Sequence, residues 1–317
     1  MNIEQNRSSG IVYPEVAVNL YKPKNPVEVP VVENRIATEQ ISPNIIRHIT
    51  FDVSGTGLEG RIRSGQSVGI VPEGITEPDG KPAKVRLYSV ASPSRGEDGD
   101  GKIISLTVKR VIEENPETQN LFLGLCSNYL SDLNPGDTVK MTGPNGKRFV
   151  LPENAHDFNY VFFATGTGVA PFRGMVRDLL ETGFDGQMAL VFGSPYNTDL
   201  LYPGEFRDLA DRHQNFHYLT SISREGRRPD GSKHYVQYQL IDSREILQPI
   251  VEKDNTLIYI CGLQGMELGL YQMLANEGYD EYLRISDELA GVSPLEWDRA
   301  DLKKRVRPSE RLFLEVY

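Results

Sequence analysis

The feature that most constrains this chain is a change of hydrophobic pattern near residue 151. Before it, apolar residues come in short β-branched runs bounded by Gly and Pro, at 29–34, 45–53, 67–71, 85–91 and 103–109. Such runs read as strands, and many short strands with turn signals between them favour a small antiparallel barrel. The stretch 76–84, with Asp79-Gly80 at its tip, reads as one of the turns. Residues 118–130 interrupt the pattern, and Leu121, Phe122, Leu125, Tyr129 and Leu130 there suggest a short helix packed on the sheet.

After residue 151, apolar strands alternate with amphipathic helices. The run from Tyr160 to Ala164 is a compact strand, and Pro171 opens a helix behind it. Phe172, Met175, Val176, Leu179 and Leu180 fall on one stripe of that helix, and Gly183 is its stop signal. Strands at 188–192, 216–222, 257–261 and 313–317 alternate with helices at 203–212, 236–253 and 266–276, the second of these parted by Pro249. This alternation means a parallel α/β sheet that places ligands beyond its carboxyl ends. The expected architecture is therefore two-domain, α+β followed by α/β. An irregular, Pro-rich leader over 1–30 precedes an antiparallel β-barrel domain over 31–152 and a parallel-sheet α/β domain over 153–317.

Composition narrows the chemistry. The 317 residues suit two domains of ordinary size. No apolar run approaches the ~20 residues of a membrane-spanning helix, and the polar N-terminus lacks the apolar core of a signal peptide, so a cytoplasmic protein is expected. Two cysteines far apart, Cys126 and Cys261, cannot hold an iron–sulfur cluster or a Cys-rich zinc site. Of the five histidines only His213 and His217 share a paired spacing, and no metal centre is expected. Residues 1–150 carry 17 Lys+Arg against 18 Asp+Glu, and residues 151–317 carry 17 against 26. The net charge of −10 excludes general nucleic-acid binding. The near-neutral first half leaves room for a local basic patch facing an acidic partner, with Lys22, Lys24, Arg35, Arg61, Arg63, Lys81 and Lys84 as candidates, although scattered solvated charge fits them equally.

Two segments bear chemistry. Residues 165–171, Thr-Gly-Thr-Gly-Val-Ala-Pro, join a strand to a helix. Glycines there let backbone approach an anion, and the helix N-terminus attracts negative charge; a plain tight turn is the competing reading. Pro171 in the third glycine slot and the missing Gly-Lys-Ser/Thr ending exclude the Rossmann fingerprint and the Walker A loop. Arg86-Leu87-Tyr88-Ser89 offers a guanidinium for a pyrophosphate, a flat ring for a stacking partner and a hydroxyl. Taken alone, these four residues also suit an ordinary strand.

Together with Ser105 to Arg110, Gly124 to Asn128, Gly166 to Arg173, Cys261 to Glu267 and the terminal Glu315-Val316-Tyr317, these segments resemble plant-type ferredoxin–NADP(H) reductases in order and spacing, from Tyr21 to the end of the chain. The resemblance implies an FAD-binding barrel and an NADP(H)-binding α/β domain. It assigns FAD to Arg86, Leu87, Tyr88, Ser89, Thr107, Val108, Lys109, Leu125, Cys126, Ser127, Thr167 and Tyr317, with Tyr88 and Tyr317 on opposite flavin faces and Ser89 near flavin N5. It assigns NADP(H) to Lys109, Thr167, Ser194, Pro195, Gly262, Leu263 and Glu315, and its 2′-phosphate to Ser223, Arg224, Lys233, Tyr235 and Gln237. That last set makes independent sense, because a dianion wants Arg and Lys with neutral donors.

The resemblance gives catalytic roles to Ser89, Cys261, Glu315 and Tyr317. Cys261 positions the reactants, Glu315 tunes the flavin and exchanges protons, and Tyr317 gates nicotinamide. The implied activity is electron transfer between NADP(H) and a one-electron acidic carrier, ferredoxin or flavodoxin, by hydride exchange between nicotinamide C4 and flavin N5. A monomer is expected. A reductase component of an oxygenase system is an alternative, and a redox sensor without turnover another.

Three departures from the family pattern stand out. Glu113 occupies the place of a Tyr that stacks on the FAD adenine, and a carboxylate cannot stack. Leu312 lies where relatives often have Trp. No long basic extension precedes the barrel, so a bacterial-type member is expected rather than a chloroplast precursor.

Overall fold

The computed structural model describes residues 10–114 and 119–317. The first sheet is antiparallel, with six strands: β1 (Val27–Ile36), β2 (Ile46–Asp52), β3 (Ser67–Val71), β4 (Arg86–Ser89), β5 (Ile103–Lys109) and, after further elements, β8. Between β5 and β8 lie a two-stranded ribbon, β6 (Ile112–Glu114) and β7 (Leu121–Leu123), and a short helix, α1 (Leu125–Asp132). Strand β8 is Thr138–Asn145, and the spatial order is β4-β3-β8-β1-β2-β5. Val90, just beyond β4, bridges Leu106 of β5 and closes the sheet into a barrel, which removes the free edges. Val29, Val31, Ile49, Phe51, Val68, Ile70, Leu106 and Val139 fill the interior.

The helix expected over 118–130 is shorter and later. Gly124 is extended and donates its N–H to Val111 O, so 121–123 pair as a strand and helix begins only at Leu125. Thr118 lies outside the described residues. Strand β8 is absent from the sequence-based reading, although Val139 and Met141, both buried, alternate with Thr138 and Lys140.

The second half of the chain holds β9 (Asn159–Thr165), α2 (Val169–Glu181), β10 (Met188–Ser194), α3 (Pro203–Arg212), β11 (Phe216–Ile222), α4 (Gln239–Asp242), α5 (Arg244–Val251), β12 (Thr256–Gly262), α6 (Met266–Asn276), β13 (Leu283–Ile285), α7 (Arg299–Lys304), β14 (Val306–Pro308) and β15 (Leu312–Val316). Strands β13 and β14 pair antiparallel with each other, and the other five form a wholly parallel sheet. Strand order is β11-β10-β9-β12-β15, so the chain reverses direction of travel across the sheet between β9 and β12.

Both faces are covered. Tyr160 and Phe162 pack with Phe172, Met175 and Phe206 on one side, while Val161 and Phe163 pack with Leu247, Ile250 and Leu270 on the other. This explains the unbroken apolar run of β9. The helical stretch 236–253 does break, but at Ser243 (φ −121°, ψ 39°) and not at Pro249, which sits inside α5. Burial of Leu247, Ile250 and Val251 holds the turn around a proline that lacks an N–H to donate.

Helix α2 joins the two halves. Gly174 packs so closely on Ser92 O that a Cβ there would lie 2.4 Å from it. On the same side of the helix, Arg173 Nη1 donates to Glu97 Oε1 (2.6 Å) and Ala91 O (3.1 Å), and its Nε to Glu205 Oε2 (2.7 Å). Asp178 accepts from Ser64 Oγ, Ser94 N and Ser94 Oγ. Residues 10–20 add a second tie: Val12 O accepts from Glu153 N, and Asn19 N donates to Pro144 O.

Candidate functional site

A cleft of about 1050 Å³ lies between the barrel and the carboxyl ends of the parallel strands. Thr165 ends β9, Ser194 ends β10, Ser223 follows β11, Leu263 follows β12 and Tyr317 follows β15, and all line it. This is the crevice at a topological switch point where open α/β sheets bind ligands. The barrel contributes Leu87, Tyr88 and Ser89 from β4, Thr107 and Lys109 from β5, and Ser127 from α1.

The turn before α2 is built for close approach. Gly166 takes φ 54°, and a Cβ on Gly168 would lie 2.2 Å from Cys261 O. The loop therefore lies tight against the end of β12 while Gly166, Thr167 and Ala170 face the cleft. No acidic residue lies in the first turn of α2, so its positive dipole end is left for an anion.

At the C-terminus, Tyr317 N donates to Gly262 O (3.1 Å) and Tyr317 O accepts from Gln264 N (3.0 Å), which pins the last residue beside β12. The residue is 56% exposed, yet its hydroxyl meets Thr167 Oγ1 at 2.5 Å, and burial of that end pushes the phenol pKa up. Tyr88, half-buried, also has its pKa raised, first by burial and then by the neighbouring Cys126. Cys261 stands opposite Glu315 in the β12–β15 register. It is 1% exposed, and burial drives its thiol pKa up. Glu315 lines the cleft, with Oε2 buried and without a hydrogen-bond partner, and burial raises its pKa. Ser194 Oγ is likewise buried and unpartnered. Buried polar atoms left unpaired are rare and call for a missing partner.

The remaining sequence-derived residues divide by strand face. Val108 and Cys126 point into the barrel core, so only their backbone can serve a ligand. Thr107 lines the cleft, but its hydroxyl meets Tyr202 Oη at 2.6 Å, and Tyr202 Oη in turn meets His48 Nδ1 at 2.9 Å. Ser127 Oγ donates to Gly124 O and accepts from Val111 N, which leaves it one acceptor site. Arg86 is exposed, with Glu77 3.7 Å away. Leu125 is half-buried at the start of α1. Pro195, Tyr235 and Gln237 line the cleft; Gly262 is buried at the end of β12.

Arg224 and Lys233 are exposed and have no carboxylate partner among the described residues, while their neighbour Arg228 is committed to Asp230 and Asp242. Arg224 lies 5.8 Å from the Tyr196 ring centroid. Sequence reasoning missed Pro43, Asn44 and Ile45, which reach the cleft from a loop clasped to Asp199. It also missed Met266, whose sulfur accepts from Thr165 Oγ1. A loop residue carries no periodic signal that could have found the first three.

Comparison with known proteins agrees with this geometry. The model of the oxidoreductase NAD-binding domain matches residues 162–270. The chain is 37% identical over 309 residues to a ferredoxin–NADP reductase of Spirulina sp, covering 96% of this chain and 99% of that one. It is 36% identical to the chloroplastic leaf isozyme 1 of ferredoxin–NADP reductase from Arabidopsis thaliana, covering 95% and 80%. A ferredoxin–NADP⁺ reductase from Plasmodium falciparum, solved with 2′P-AMP, superposes with a TM-score of 0.71 at 22% identity, over 96% of this chain and all of that one. The chain belongs to the ferredoxin–NADP reductase family.

Proposed function

We propose that the chain is an FAD-dependent reductase that moves electrons between NADP(H) and a one-electron carrier. The observation that carries this reading is the single cleft onto which Tyr88 from the barrel and Tyr317 from the parallel sheet both open. The residues present fit both dinucleotides. Glu315 and Ser194 offer buried polar atoms that lack a protein partner, the turn 165–168 offers an anion cradle, and Arg224 and Lys233 offer unpaired positive charge.

When bound, FAD supplies two-electron exchange with nicotinamide and one-electron exchange with the carrier. The chain's own residues hold, orient and protect. Arg86, Tyr88 and Ser89 hold the flavin from the barrel side, with backbone from Thr107 to Lys109 and from Leu125 to Ser127. Thr167, Ser194, Pro195, Gly262, Leu263 and Lys109 hold the rest of the NADP(H) dinucleotide, beyond its 2′-phosphate. Ser223, Arg224, Lys233, Tyr235 and Gln237 hold the 2′-phosphate, which selects NADP(H) over NAD(H).

Tyr317 occupies the place next to Cys261 that nicotinamide needs, so displacement of its ring is the gating event. Cys261, buried and protonated, aligns reactants by packing; transfer needs alignment and not a nucleophile. Glu315, whose carboxyl pKa burial raises, is placed to exchange a proton at the edge of the cleft.

The carrier is ferredoxin or flavodoxin, both acidic. Lys22, Lys24, Arg61, Arg63 and Lys84 of the barrel have no carboxylate partner among the described residues and can face it, whereas Arg35 and Lys81 are paired with Glu33 and Asp79. No helix among the described residues is long and apolar enough to cross a membrane, and we take the protein to act in the cytoplasm as a monomer. Rapid mixing of the purified yellow protein with NADPH, then with a panel of ferredoxins and flavodoxins, tests the reading. Loss of flavin colour followed by carrier reduction is expected. Colourless protein, or flavin inert to NADPH, would overturn it.

A further inference from the structure

The β6–β7 ribbon is anomalous. Among the described residues it pairs only with itself, Ile112 with Leu123, Glu113 with Phe122 and Glu114 with Leu121. Every one of these side chains is exposed, Phe122 at 61% and Leu121 at 65%. A two-stranded ribbon is marginal by itself in water, and adjacent exposed apolar residues mark a surface meant to be covered. The ribbon is also continuous with the cleft: Arg110, Val111, Ile112 and Glu113 run out of β5 along its wall, past Tyr88 and Ser127. Residues directly opposite in an antiparallel pair project from the same face. Phe122 therefore stands beside Glu113, at the outer end of the wall that begins at the flavin-side tyrosine.

We infer that Phe122 is the platform on which the adenine of FAD stacks, taking from across the ribbon the role that an acidic residue at 113 cannot fill. This rests on the flavoenzyme reading above and adds to it the residue that distinguishes a dinucleotide from a mononucleotide. The chemistry is that of base on ring. Every purine presents a flat face, and an exposed aromatic side chain gains from covering it without needing a specific hydrogen bond. Continuity with the cleft selects this occupant over a second copy of the chain, because the ribbon's free face begins where the cleft wall ends.

FMN is flavin without the adenosine half, so it provides the discriminating probe. The full-length chain, stripped of flavin, is titrated with FAD and separately with FMN, following flavin fluorescence. Phe122→Ala is expected to weaken FAD roughly tenfold to a hundredfold, the range for loss of one base–aromatic stack, and to leave FMN affinity within about twofold. Phe122→Trp is expected to restore or tighten FAD binding. Unchanged FAD affinity in the Ala variant, or equal losses for FAD and FMN, would overturn the inference and leave the flavoenzyme reading intact. A variant altered only in self-association would assign the ribbon to a second copy and likewise overturn it. Failure of the unaltered chain to take up either flavin would instead remove the flavoenzyme reading itself.

Discussion

The seam along α2 and the rim around Arg224 use the same side-chain chemistry to opposite ends. At the seam, Arg173 is 6% exposed and every group it meets is its partner: two carboxylates, a backbone carbonyl and the face of Tyr202, 4.8 Å away. Burial pushes the Glu97 carboxyl up, but Arg173 and Ser105 more than offset this and hold it at about 2. At the rim, Arg224 and Lys233 have no counter-charge among the described residues. A buried cation surrounded by partners is architecture, whereas exposed cations without a counter-charge are free to meet an anion. The seam fixes how the two domains meet, and so where the two tyrosines stand. In the proposed function the rim selects which nucleotide enters between them.

Breaking the seam should cost the most. Arg173→Ala leaves Glu97 and Glu205 with only the more exposed Arg177, at 3.0 and 4.0 Å, so the loss should lie toward the lower end of the about 3–5 kcal/mol typical for removing one partner of a buried pair. Urea unfolding should report that loss; a change below about 1 kcal/mol would mean that the pairing is not structural.

Arg224→Ala should act on ligand alone. Loss of a charge-assisted hydrogen bond is worth about 1.5–3 kcal/mol, so kcat/KM with NADPH should fall roughly tenfold to a hundredfold. The value with NADH, and the urea midpoint, should stay put. Equal losses with both nucleotides would place the 2′-phosphate elsewhere.

The smallest effect is one of pH. Burial first, and the charge of Arg173 second, lower His48 to about 3. The native state thus refuses a proton that the unfolded chain accepts, so this contribution to stability is full above the ordinary histidine value of 6.5 and is lost as pH falls toward about 3. Between pH 7 and pH 6 the loss should be on the order of 0.5–1 kcal/mol, and His48→Gln should flatten it. Glu97 extends the acid sensitivity below the ordinary glutamate range, since its lowered carboxyl must protonate to release Arg173. Equal pH slopes for the parent and the Gln variant would show that His48 does not sense the seam.

What could be read in the sequence was what repeats locally. The β9 run, the α2 stripe and the glycines at 166 and 168 signal themselves within twenty residues, and they place the anion cradle. The quoted family segments carried the rest of the cleft. The seam was not legible, because His48, Glu97, Arg173 and Tyr202 are brought together only by tertiary packing, and none lies in a pattern that names its partner. Strand face was equally hidden: Thr107, Val108 and Lys109 were all assigned to the flavin, yet alternation sends Val108 into the barrel and commits the Thr107 hydroxyl to Tyr202. The ribbon was misread as helix because three apolar residues in a row fit either period, and the exposure that distinguishes them is not in the sequence.

Tyr88 and Tyr317 line one cleft, and in the proposed arrangement Tyr317 occupies the place that nicotinamide must take beside the barrel's Tyr88. The direct measurement is anaerobic titration of the parent chain and of Tyr317→Ser with NADP⁺, paired with rates of flavin reduction by NADPH and by NADH. If the two rings bracket one slot, the Ser variant binds NADP⁺ more tightly and gains activity with NADH. If NADP⁺ affinity and the NADH rate are both unchanged, the C-terminal ring does not guard the slot and the arrangement proposed for the cleft is wrong.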